Sequence, residues 1–123
     1  MQGFQETFEA YGADYAATME RFMGNEAMYL RFLDMLFQDE NLSKLGEALD
    51  GGDLQSAFAA AHTLKGVAAN MGLTPLYAAV CAIVEPLRAG TPGCAYAALY
   101  AGVQQEFQKV RALRDALKGG GAA

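Results

Sequence analysis

The sequence predicts an all-α protein: an up-and-down antiparallel four-helix bundle with additional short helices towards its N-terminus. Three observations carry that expectation. Apolar residues recur at steps of three and four along several separate stretches, the spacing of one helix face. The breaks between these stretches are short and made of Gly, Asp, Asn, Thr and Pro, residues that start and stop helices. No pair of alternating segments flanks a hairpin turn, and no internal repeat occurs.

The first dozen residues, with Phe4, Phe8 and Tyr11 before Gly12, fit either a short helix or an arm laid over the bundle. Asp14 is placed to cap a short helix carrying Tyr15, Met19, Phe22 and Met23, which Gly24 stops. Asn25 then caps a long helix, with Glu26 favoured in its first turn by the helix dipole. Met28, Tyr29, Phe32, Leu33, Leu36 and Phe37 give that helix a wide apolar stripe. A shorter segment from Asn41 to Leu49 turns Leu42, Leu45 and Leu49 inward and closes at Asp50-Gly51-Gly52-Asp53.

Asp53 caps the next long helix, whose inward seam is Leu54, Ala57, Ala61, Leu64, Ala68 and Met71, and which ends at Gly72. Thr74-Pro75 reads as an N-cap followed by proline at the first helical position, where its missing N–H is harmless. Leu76, Ala79, Val80, Ile83, Val84 and Leu87 line the helix that follows, and Pro86 is expected to kink or end it. Thr91-Pro92 repeats the start signal for a last helix with Leu99, Val103, Phe107, Val110, Leu113 and Leu117 inward. The closing Gly119-Gly120-Gly121-Ala122-Ala123 reads as a flexible tail.

With 123 residues the chain has the size of a single domain, spanning 1–123 with its core from Asp14 to Leu117, and can bury a core without disulfides or metal. Its apolar content of 53%, rich in Ala, Leu, Met and Phe, suits a helical bundle. A net charge of −5 and a pI near 4.7 argue against a nucleic-acid partner, which needs a basic surface. No uncharged apolar run is long enough for a membrane span, and no basic segment leads into an apolar one at the start. The expectation is a cytoplasmic protein, monomeric, with no membrane association. Cys81 and Cys94 form no paired motif and have no second histidine to join, so they are expected to be buried thiols, not metal ligands or a disulfide.

The chemistry concentrates in Ala61-His62-Thr63-Leu64-Lys65-Gly66-Val67-Ala68-Ala69-Asn70-Met71-Gly72, which holds the only histidine of the chain. On a helix of about 3.6 residues per turn, Lys65 and Gly66 lie beside His62 on one face. His62 is offset by about 100° from the apolar seam, so it should face water. An imidazole in water is largely neutral at pH 7 and keeps a ring nitrogen free to attack phosphorus. Lys65 can then give charge-assisted hydrogen bonds to phosphoryl oxygens. Gly66 costs about 1 kcal/mol against alanine in a helix interior, and its bareness would let a partner approach closely.

These residues resemble the signature of the histidine-containing phosphotransfer (Hpt) domain of bacterial multistep phosphorelays: Ala61-His62-Thr63-Leu64-Lys65-Gly66, then Ala68, Ala69, Asn70 and Gly72. Upstream, Arg21-Phe22-Met23-Gly24-Asn25-Glu26 with Tyr29 and Phe32-Leu33 is similar to the segment that precedes the signature, and the likeness runs from Asp14 to Leu117. The resemblance implies a helical bundle whose His62, at Nε2, takes a phosphoryl group from a receiver-domain aspartate and passes it to another. It implies Lys65 as the phosphate contact and Gly66 as the site of close approach, with no kinase activity of its own. Response-regulator receiver domains, and a hybrid sensor histidine kinase, are the implied partners; no cofactor is expected, the Mg²⁺ belonging to the receiver. Val67 departs from the family's usual small polar residue.

Met19, Phe22, Met23 and Met28 have core spacing, yet methionine also suits adaptable binding surfaces. Met19, Phe22 and Met23 are therefore candidates for an apolar rim that docks a receiver. The competing reading is a non-catalytic bundle that binds receivers or other helices, whose cheapest sign would be loss of the histidine. A hydrolase or metal enzyme built on His62 lacks a nucleophile, an oxyanion motif and a second ligand at a recognisable spacing.

Overall fold

The computed structural model describes residues 3–92 and 95–119, and they fold as seven helices. These are α1 (Phe4–Tyr11), α2 (Tyr15–Arg21), α3 (Glu26–Gln38), α4 (Asn41–Asp50), α5 (Leu54–Asn70), α6 (Thr74–Ala89) and α7 (Tyr96–Gly119). Helices α4, α5, α6 and α7 form the bundle, and α3 packs on α7 at its side. A short turn joins α5 to α6, which sets these two helices antiparallel. Helix α5 lies between α4 and α6, and α7 packs against α6, α3, α4 and α1.

The central position of α5 follows from its composition. Its buried residues are Ala57, Ala60, Ala61, Leu64 and Ala68, so neighbouring backbones can come close where small side chains meet. The bulk comes from the helices around it: Tyr29, Leu33 and Leu36 on α3, Leu45 on α4, Val80, Ile83, Val84 and Leu87 on α6, Val103, Phe107, Val110 and Leu113 on α7. An alanine seam opposed by larger residues is the complementarity that close-packed interiors need.

Local chemistry sets the helix starts. Asp14 accepts a hydrogen bond from the Ala17 amide at 3.1 Å, Asn25 from the Met28 amide at 2.9 Å, and Asp53 from the Ser56 amide at 3.0 Å. Each satisfies one of the orphan amides of a first helical turn. The Ser56 hydroxyl also donates to Asp53, and these bonds hold its carboxyl below the usual carboxylate range.

The N-terminal segment is a helix docked on the bundle. Phe8 of α1 is fully buried, edge-on to Tyr29 with ring centroids 5.3 Å apart, a favoured arrangement of aromatic quadrupoles. The Tyr11 hydroxyl accepts the Leu76 amide at 3.3 Å, tying α1 to the start of α6; burial pushes this tyrosine up to about 12.

The C-terminal end of α5 is pinned from two sides. Arg21 Nη1 donates to the carbonyls of Ala69 and Asn70 at 3.2 and 3.1 Å, and the buried Tyr29 hydroxyl donates to the Met71 carbonyl at 2.8 Å. All three bonds go to carbonyls at the helix end, where intrahelical donors run out. Gly72 then turns the chain at φ 68°, and a Cβ there would lie 2.0 Å from Thr18 Oγ1. Only glycine fits a position that is both left-handed and pressed against α2.

Several expectations need correction. Thr74 is the first residue of α6, not its cap; Leu73 holds the cap position and no side chain bonds there. Pro86 does not end α6, which continues to Ala89 and stops at Gly90 with φ 66°. Proline removes one donor near the helix end, and its own carbonyl accepts from the Thr91 amide at 3.0 Å and the Tyr96 hydroxyl at 3.2 Å. That second bond belongs to a loop that carries the chain past Thr91-Pro92, so α7 begins at Tyr96. Cys81 is only half-buried, because it lies one step around α6 from the buried Val80; the neighbouring thiol holds the Tyr77 hydroxyl above its ordinary pKa. Cys94 and the tail beyond Gly119 lie outside the described residues.

Candidate functional site

His62 stands on α5 with its side chain exposed, flanked along the helix by exposed Thr63 and Gly66 and half-buried Lys65. The buried alanine seam fixes this orientation, since it commits the opposite side of α5 to the core. Helical side chains lean towards the N-terminus, so residues 65 and 66 are the ones that would cover the surface around His62. Lys65 brings a cation to that surface, and among the described residues it forms no ion pair. Gly66 brings nothing: a Cβ built there would meet no atom within 4 Å. No contact inside the chain demands glycine at this position.

One flank of the site is aromatic and cationic. Phe58, one turn before His62, has its ring centroid 5.5 Å from the imidazole with the planes inclined at 36°. Arg88 of α6 lies over the same phenyl ring, 5.8 Å from its centroid, and pairs with Glu85 at 3.5 Å. The i−4 spacing of Phe58 from His62 is the sequence signal for this contact. Arg88 could not be placed without the α5–α6 packing.

The other flank is apolar. Phe32 and Met35 of α3 are 43% and 57% exposed, and they line a shallow pocket of about 240 Å³ with Val67 and Asn70 of α5. Met23, in the turn after α2, is 85% exposed. Its neighbours in the proposed docking rim are elsewhere: Met19 and Phe22 are 4% and 5% exposed and belong to the core. The cause is the turn, in which Met23 takes φ 55° and Gly24 φ 71°. That reversal throws Met23 outward while α2 keeps Met19 facing in. Phe22 packs edge-on against Tyr29 at 5.1 Å and tilted against Phe32 at 5.6 Å, so it supports the exposed Phe32 from beneath.

A family model described as the Hpt domain matches residues 27–117, from the start of α3 almost to the end of α7. The chain belongs to the Hpt domain family. No curated protein and no solved structure gives a significant match. Membership assigns the Hpt chain a role in histidine phosphotransfer within phosphorelay signalling, in a family of phosphocarriers whose partners are receiver domains. The matched span contains His62, Lys65, Gly66, Phe32 and Met35, while α1, α2 and Met23 precede it. Among the described residues no three His, Cys, Asp or Glu side chains converge as a metal site, and no helix is long and apolar enough to cross a membrane.

Proposed function

We propose that His62 is the residue phosphorylated in this Hpt domain, accepting the group from an aspartate of one receiver and yielding it to an aspartate of another. The observation that carries this reading is the face of α5 on which an exposed imidazole, an unpaired lysine and an unobstructed glycine occupy consecutive turns.

The lone pair of Nε2 attacks phosphorus as the P–O bond to the donor aspartate breaks, and the carboxylate leaves as an anion. The neutral ring keeps its proton on Nδ1 and takes up one positive charge, so no base has to remove a proton before attack. Transfer onward reverses these bonds at a second aspartate. Lys65 offsets the phosphoryl charge by charge-assisted hydrogen bonding. Gly66 leaves α5 bare where the receiver must come within bonding distance of the imidazole. The receiver supplies the acceptor or donor aspartate and the divalent cation.

The docking rim on this reading is Phe32, Met35 and Met23, with Val67 at its edge. Exposed apolar side chains of this size, grouped beside a polar reactive centre, favour a protein partner over solvent. A label-chase experiment tests the two-way transfer. Labelled phosphoryl moved from a phosphorylated receiver to the domain should reappear on a second, unphosphorylated receiver. A domain that binds both receivers yet never carries label would instead be a non-catalytic interaction bundle.

A further inference from the structure

We infer that Phe58 is a positioning residue for His62, holding the imidazole by a ring contact that leaves both of its nitrogens free; the inference rests on His62 being the phosphorylated residue. Among the described residues neither ring nitrogen of His62 has a hydrogen-bond partner, so no carboxylate or carbonyl orients the ring. Its aromatic neighbour is Phe58, at 5.5 Å between centroids. A histidine on a helix leans back over the residue at i−4, so this contact is the one its preferred rotamers make.

Phe58 is built to hold still. It is half-buried on the α5 side facing α6, where Leu54 and Leu87 line the same cleft, and the Arg88 guanidinium covers its ring at 5.8 Å. Glu85 lies 3.5 Å from Arg88 in an exposed pair, so the ring is held chiefly by its packing in the cleft. An anchored phenyl therefore lies beside a freely exposed imidazole. The geometry suits a nucleophile because imidazole nitrogens lie on the ring edge, whereas an inclined ring contact uses its face. A hydrogen-bonding orienter would occupy one nitrogen; a phenyl ring restricts rotation and occupies none. Restricting the ring before the receiver arrives lowers the entropy cost of reaching an in-line attack geometry.

The test uses the full chain with Phe58→Leu and Phe58→Tyr. In the NMR spectrum of the wild type, the carbon-bound imidazole protons of His62 should carry a ring-current shift, which Phe58→Leu removes and Phe58→Tyr retains. Single-turnover transfer from a saturating phosphorylated receiver should slow about two- to tenfold in Phe58→Leu, the range an aromatic pair is worth, and recover in Phe58→Tyr. Receiver affinity and helical circular dichroism should stay at wild-type values in both. Wild-type rates in Phe58→Leu, or an equal loss in Phe58→Tyr with its ring-current shift intact, would overturn the inference. If the wild type itself takes no phosphate, the phosphocarrier reading fails, and the imidazole shifts alone then decide whether Phe58 holds the ring.

Discussion

Replacing Gly66 by alanine sets the interest of the fold against that of a partner. Gly66 lies within α5 at an ordinary helical φ, and a Cβ there meets no atom within 4 Å. Alanine should therefore stabilise the free domain by about 0.5–1 kcal/mol, because a helix-interior glycine loses more backbone entropy on folding. For a domain of this size that is a rise of about 2–4 °C in Tm. The same methyl stands one turn from His62 on the surface a receiver must meet. It pushes an opposed backbone out by on the order of 1 Å, a misplacement that can cost up to about 100-fold in rate. Gly66→Gln, with a longer side chain on the same open surface, should lose more. Thermal melts of the free domain and single-turnover transfer from a phosphorylated receiver read the two effects separately. A lower melting point for Gly66→Ala would refute the open-space reading, and wild-type transfer in both variants would refute the close approach.

Three further predictions concern the surroundings of the site. Lys65→Ala should slow transfer or shorten the lifetime of the phosphorylated domain by the worth of a charge-assisted hydrogen bond, about 1.5–3 kcal/mol, measured by the decay of label on the isolated protein. Phe32→Asp should weaken receiver binding in calorimetric titration while leaving the helical signal unchanged, since Phe32 is 43% exposed; a collapse of helicity would place it in the core instead. Tyr29→Phe should destabilise the fold by about 1–3 kcal/mol in urea unfolding, because it strips the buried Met71 carbonyl of its donor at the end of α5.

The features legible in the sequence were those decided within a few residues. The caps Asp14, Asn25 and Asp53 could be read because a cap bonds an amide only three positions away. The alanine and leucine seam of α5 could be read from its period, and with it the offset of His62 from the core. Misreadings arose where distant contacts decide. Thr91-Pro92 carries a helix-start signal, but the Tyr96 hydroxyl bonds the carbonyls of Pro86 and Thr91 and draws that stretch into a loop. Met19, Phe22 and Met23 share a periodicity that ends at a left-handed turn, so two face the core and the third faces solvent. Phe32 and Met35 continue the apolar stripe of α3 beyond the width its neighbours cover, and no single-helix pattern shows where that cover stops.

The proposal stands on whether the phosphoryl group resides on His62. Incubating wild type and His62→Gln with the same phosphorylated receiver, then mapping label by mass spectrometry under conditions that preserve P–N bonds, tests it most directly. One labelled site is expected in the wild type, at His62, and none in the variant. Equal labelling of His62→Gln, or label on another residue of the wild type, would contradict it.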